Sequence, residues 1–241
     1  MLVKSPAIVL GSVKYGDSSI ILKTYTRELG LKSFIAGGVP NKKGVIKPSF
    51  VQPLSQLSLV FYEKSKGGTL KRIKEATVYQ PYNHLFYNPV KSTVALFLAE
   101  VLSHVLQEEE PEPSLFDFIA DALMVLDELN EGLGNFHLAF LFKLTNYLGF
   151  KPESVTGESH YFDLLNGVYT SYEPPHYHFL DTEVTPHWKK LQALEMDTLD
   201  QLKPGKALRE KLLTALLEYY RLHIKDFGKL RSLEVVKTIL S

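Results

Sequence analysis

Residues 5–36 read SPAIVLGSVKYGDSSIILKTYTRELGLKSFIA, and this stretch decides the fold. The apolar run over residues 5–14 meets four turn residues, Tyr15-Gly16-Asp17-Ser18. Residues 19–26, rich in Ile, Thr and Tyr, read as a second strand. Glu28-Leu29-Gly30 makes a tight hairpin connection in which Gly30 tolerates a positive φ. Residues 31–36 return as a third strand. Further out, residues 37–48 hold three glycines, two prolines and Lys42, Lys43 and Lys47, and read as a loop. Leu57, Leu59 and Phe61 then alternate with Ser58, Val60 and Tyr62, the period of a strand. Lys64-Ser65-Lys66-Gly67-Gly68 turns the chain into a last strand at about 69–78. Five short strands in residues 1–80 predict a small closed or partly closed barrel, since closure removes exposed edges.

After Pro81 the apolar period lengthens. Val90, Val94, Phe97, Val101 and Val105 fall at helical spacing, with Pro89 placed to start the helix. The run Glu108 to Pro113 ends it. Ser114 is expected to cap a second helix carrying Leu115, Phe118, Ile119, Ala122, Leu126 and Leu129. Phe136, Phe140, Leu144 and Leu148 predict a third, stopped by Gly149. Helices at about 205–226 and 231–240 follow. An aromatic-rich segment at about 150–182 interrupts them, and Phe162-Asp163-Leu164 can pair with Val168-Tyr169-Thr170 as a hairpin. The fold class is therefore a β-barrel plus an all-α region, divided as residues 1–80 and 81–241.

Composition narrows the function. Among 241 residues, 45% are hydrophobic and 22% charged, the balance of a folded globular protein. No apolar run approaches a membrane span and no signal-peptide core is present, so a cytoplasmic protein is expected. Cysteine is absent, which excludes disulfides, thiolate zinc sites and cysteine nucleophiles. The formal net charge is zero, but residues 1–80 hold 13 Lys/Arg against 4 Asp/Glu and carry +9, while residues 81–241 carry −9. A basic first segment suits a polyanion.

Catalytic motifs are missing: no GxxxxGK[ST], HExxH or GxSxG occurs. Asp17, Glu28, Glu63 and Glu75 are too scattered for two-metal nuclease chemistry, so no catalytic residues are assigned. His160, His176 and His178 lie together in the interrupting segment, but no fourth ligand accompanies them, and no metal or cofactor is expected. Binding chemistry is better supplied. Lys14, Lys23, Lys32, Lys42, Lys43, Lys47, Lys64, Lys66, Arg72 and Lys74, with Tyr15, are the candidate DNA contacts. Lysines neutralise phosphates, and exposed aromatic faces accept unstacked bases. Tyr25, Phe34 and Tyr62 are interleaved with them, and barrel core is the competing reading for Tyr25 and Phe34. A protein- or RNA-binding adaptor with the same barrel is the alternative function.

These residues taken in order resemble the RecO family of bacterial recombination mediators. The resemblance runs from Ala7-Ile8-Val9-Leu10 and Tyr15-Gly16-Asp17-Ser18-Ser19 through Thr26, Gly30, Lys43, Gln52-Pro53-Leu54 and Glu75. It resumes at Leu230-Arg231-Ser232-Leu233 and Val236, so it spans the chain. It implies an N-terminal five-stranded OB-fold followed by a helical bundle. It also implies binding of single- and double-stranded DNA, strand annealing, and help in loading RecA onto strands coated by single-strand-binding protein. RecR and the acidic C-terminal tail of single-strand-binding protein are the implied partners. For that tail the chain offers Lys225, Phe227, Lys229, Leu230 and Arg231, with core packing where two helices meet as the competing reading for Phe227 and Leu230. Many members carry four zinc-binding cysteines in the interruption. This chain has none, and the resemblance carries no zinc site over; packing of Tyr161, Phe162 and Tyr169 is expected instead.

Overall fold

The computed structural model describes residues 1–37, 45–63, 70–106, 110–155 and 157–240. The chain forms two compact units, Met1–Asp127 and Glu128–Ser241.

In the first unit, β1 (Leu2–Tyr15), β2 (Ser19–Thr26), β3 (Gly30–Gly37), β4 (Gln56–Tyr62) and β5 (Lys71–Gln80) close into a barrel. Neighbours run β1-β2-β3-β5-β4, and β4 returns to β1. The β3–β5 pair is parallel and the others are antiparallel, which is the strand order of an OB-fold. Gly16 and Gly30 take positive φ of 65° and 64° in the two hairpin turns, as their placement requires. β1 is long because it serves two partners. Leu2–Ile8 pairs with β4, Ala7–Tyr15 pairs with β2, and a bulge between Val9 and Gly11 bends the strand between them. Ala7, Ile8, Val9 and Leu10 are all buried, so this part of the strand reads as a continuous apolar run and not as an alternation. Inside the barrel, Val9, Leu22, Phe34, Leu59, Phe61 and Ile73 meet Ile46 and Phe50 from the β3–β4 connection.

The barrel strands end at Gln80, but the compact unit continues through two helices, α1 (Pro89–Val105) and α2 (Pro113–Glu128). Asn88 caps α1, accepting from the Val90 and Lys91 N–H groups, with Pro89 in the first turn. Ser114 is not the expected cap. It lies inside α2, and its hydroxyl donates to the Glu112 carboxylate. The Asp127 side chain accepts from the N–H groups of Asn83, His84 and Leu85 at 2.7, 2.8 and 2.5 Å, and the Asp127 carbonyl accepts from buried Lys91. Asp127 thus fastens the end of α2 to the connection that leaves the barrel. Arg27 meets Asp117 of α2 through two parallel bonds of 2.8 and 2.9 Å, and Tyr25 packs on Phe116.

The second unit contains α3 (Leu133–Leu144), β6 (Tyr161–Asp163), β7 (Val168–Thr170), β8 (Phe179–Leu180), α4 (Thr185–Ala193), α5 (Lys206–His223) and α6 (Leu233–Ile239). The β6–β7 hairpin forms as the sequence indicates, and β8 adds a third strand on the other side of β6. α3 stops short of the expected Leu148. Residues 145–149 are turn, and the Thr145 hydroxyl bonds the Phe142 carbonyl at 2.6 Å. α4 has no counterpart in the sequence reading. Val184, Trp188 and Leu191 carry its buried stripe, too short a run to register against the polar residues around it.

Candidate nucleic-acid interface

The outer face of the barrel follows from strand alternation. In β1–β2–β3–β5 the register aligns Val13, Ile21, Ile35 and Arg72 in one row across four strands. The next row holds Tyr15, Ser19 and Gly37. Val13 is 68% exposed and Tyr15 53%. Gly37 leaves its place bare: a Cβ there would touch Arg72 Nη2 and Ser19 Oγ, both at 3.9 Å. The exposed guanidinium of Arg72 therefore lies across Gly37 towards Ser19 at the end of an apolar row. Lys14, between Val13 and Tyr15 in sequence but of opposite parity, is exposed at the hairpin end of β1. Neither Lys14 nor Arg72 forms an ion pair with a described residue. Together these groups make a partly exposed apolar row with a tyrosine and two exposed cations nearby, which can hold bases by contact and phosphates by charge.

The candidate DNA contacts from the sequence divide by place. Lys14 has the opposite parity, paired with Ile20, and is exposed where β1 runs out to the hairpin, whereas Tyr15 and Arg72 belong to this face. Lys23 sits on it as well, paired with Ser33, but its ammonium is turned to the Ser103 carbonyl at 3.0 Å, and burial lowers its pKa. It holds the end of α1. Lys32 is half-buried on β3 opposite Thr24. Lys74 is exposed on β5 where the β4–β5 register shifts. Lys47 stands elsewhere, its ammonium 5.7 Å from the ring centre of Phe50. Lys42, Lys43, Lys64 and Lys66 lie outside the described residues. Tyr25 and Phe34 are core: Tyr25 is buried against α2, its hydroxyl pushed up to about 12 by burial and then by Glu112, and Phe34 packs on Phe61 at 4.8 Å. The sequence reading missed Val13, Ile21 and Ile35 because apolar strand residues look like core. Their parity, opposite to Leu22, Phe34 and Ala36, is the signal that marks them as outward.

In the second unit, Lys225, Lys229 and Arg231 are exposed, whereas Phe227 and Leu230 are buried, at 6% and 4% exposure. Phe227 packs on Tyr220. These two residues are core and cannot form the apolar wall of a surface pocket. The exposed apolar residues of this region are Val235 and Ile239 on α6.

The interrupting segment is held by side-chain packing. Phe162 is fully buried, 4.8 Å from Tyr169 and 5.2 Å from Trp188 between ring centres. Asp163 fixes the hairpin turn. Burial pushes its carboxyl up, but bonds from the Asn166 side chain and from the Asn166 and Leu165 N–H groups hold it below the usual carboxylate range. Each histidine has its own carboxylate: His160 with Glu158, His176 with Asp163, His178 with Glu218. Among the described residues, no three His, Asp or Glu side chains come together as a metal site. No helix among them is long and apolar enough to cross a membrane.

The family of Recombination protein O matches both parts of the chain, its N-terminal description over residues 1–82 and its C-terminal description over residues 87–234. The chain belongs to the RecO family. It is 36% identical over 242 residues to a protein of Phocaeicola vulgatus named DNA repair protein RecO, covering all of both chains. Proteins of the same name from Flavobacterium psychrophilum (35% over 242 residues, all of both chains) and Azobacteroides pseudotrichonymphae (32% over 240 residues, 99% of each) are similar along their whole length. The RecO N-terminal match ends within two residues of the last barrel strand, whereas the compact first unit reaches Asp127.

Proposed function

We propose that the chain is a non-enzymatic mediator of DNA repair and recombination that binds single- and double-stranded DNA through the barrel and anneals complementary strands. The observation that carries this reading is the outward row Val13–Ile21–Ile35, partly exposed, with Tyr15 beside it and Arg72 at its end, and with exposed Lys14 in the same β1–β2 hairpin, on an OB barrel of net charge +9. Full-length relatives named DNA repair protein RecO support it. The test is the double substitution Lys14→Ala, Arg72→Ala in the full chain, with labelled oligonucleotide binding followed through a salt series. Binding should weaken alike for all sequences. The slope of log affinity against log salt should fall by about two, roughly one for each lost phosphate contact. An unchanged slope places the phosphates elsewhere, and salt-independent binding by the parent favours the adaptor reading.

The family resemblance supports three partners: RecR, the tail of single-strand-binding protein, and RecA, whose loading is assisted indirectly. The tail is acidic and ends in an aromatic residue with a free carboxylate. An arginine such as Arg231 grips a carboxylate with two parallel bonds, and α6 after it exposes Val235. Arg231→Ala should weaken binding of a peptide copying the tail about tenfold, the size of a charge-assisted bond, and leave DNA affinity unchanged. Equal peptide binding by parent and variant rules this cluster out.

A further inference from the structure

A cavity of about 300 Å³ opens in the first unit where β4 begins and β5 ends. Its volume is at the small end of the range for ligand sites. Phe50, Tyr82, Phe86 and Tyr87 supply aromatic walls, and no lining side chain carries a charge. Gln56 and Gln80 also line it and stand opposite each other across the β4–β5 ladder. Gln56 is 1% exposed, and its amide nitrogen is committed to the Tyr82 hydroxyl at 3.0 Å and the Ala120 carbonyl at 3.1 Å. That fixes which end of the amide is oxygen. The Gln56 and Gln80 Oε1 atoms are both shielded from solvent, and neither accepts a hydrogen bond from a described residue. Buried acceptors without donors are costly, and these two, on paired residues of one ladder, call for a partner. The Gln80 side chain makes no hydrogen bond to a described residue.

Two neighbouring acceptors among aromatic walls match a neutral planar ring that presents two N–H groups. Adenine, cytosine and guanine carry such an amino group, while thymine has a single ring N–H and no exocyclic amine. A cation for the attached phosphate stands alongside: Lys47, whose ammonium lies over Phe50, a wall of the cavity. We propose that this cavity holds one unstacked nucleobase bearing an exocyclic amine, with its phosphate at Lys47. The proposal rests on the DNA-binding reading and deepens it. The outer strip holds the strand without regard to sequence, and the cavity adds a modest base preference at one nucleotide.

The test compares the full-length chain on cytosine and thymine homo-oligomers of one length at one salt concentration. The cytosine oligomer should bind about five times tighter, the effect of one neutral hydrogen bond. Gln80→Leu removes one acceptor. Val78→Trp, at a position 47% exposed on the cavity rim, fills the mouth without touching the barrel core. Each should erase the preference and leave thymine binding and its salt slope as in the parent. Equal affinity for the two oligomers in the parent overturns the proposal, as does a preference that survives both variants. A cavity that takes N-acetyltryptophanamide but not deoxycytidine, followed at the Gln80 amide by NMR, overturns it in favour of a protein side chain. If neither oligomer binds, the DNA-binding reading falls with it. If both bind equally, only the cavity proposal falls.

Discussion

Asp127→Ala is expected to destabilise the first unit by about 4 kcal/mol, in the range for removing one member of a buried charged network. Asp127 is fully buried and accepts three backbone N–H groups, from Asn83, His84 and Leu85. Alanine leaves the buried Leu85 N–H without its acceptor and takes one from the N–H groups of Asn83 and His84. Amide exchange of β1 to β5 is the measurement to use, because a chain of two units need not unfold in one step. The pH dependence has a defined sign. Burial raises the Asp127 carboxyl, but the three N–H bonds outweigh it and hold its pKa below the ordinary 3.8. A depressed folded-state pKa adds stability that is complete above the unfolded value and lost as pH falls through the folded one. The stability gap between the parent and Asp127→Asn should therefore be constant from neutral pH down to about 5 and shrink below about 4. A gap that widens on acidification means the carboxylate is not the stabilising form.

Gly132→Ala should be the most damaging glycine substitution in the second unit. Gly132 has φ +71°, and a Cβ there would stand 2.7 Å from the Leu199 carbonyl carbon and 2.8 Å from the Asp200 nitrogen. Those are backbone atoms, and they cannot step aside. Asn135 donates to the Leu199 and Leu202 carbonyls at 2.9 and 2.5 Å, which fixes that segment against the start of α3. The expected loss is about 3–5 kcal/mol, of which the left-handed backbone accounts for roughly 1–2. Gly157→Ala separates the two parts, since Gly157 has φ +64° and nothing within 4 Å of its missing Cβ. Equal losses for the two variants in amide exchange of α3 would show that the Leu199 segment yields.

How much could be read in advance depended on how far each signal reaches along the chain. Alternation in β4 and the turn glycines Gly16 and Gly30 are local, and they located the barrel strands. Helical spacing from Val90 to Val105 did the same for α1. The fate of a lysine is not local. Lys14 and Lys23 look alike in sequence, yet one is exposed and the other is bound to Ser103, eighty residues away. Phe227 and Leu230 beside three cations looked like a pocket, but their burial is decided by Tyr220 and the turn of chain after α5. The Gln56–Gln80 pairing needs the β4–β5 register, which no spacing reveals. The β3–β5 parallel pair, which defines the strand order, joins segments more than thirty residues apart and has no local mark at all.

The fastening of α2 by Asp127 also sets an order of events during synthesis. The last barrel strand ends at Gln80, but the carboxylate that completes the first unit is the last residue of that unit to be made. At about 5–20 residues per second, the intervening chain takes on the order of several seconds to emerge. Until Phe116 and Asp117 emerge, the barrel surface they will cover, around Tyr25 and Arg27, faces water. A nascent chain stalled before Phe116 therefore presents an uncovered barrel, and this is the stage at which a chaperone has most to shield.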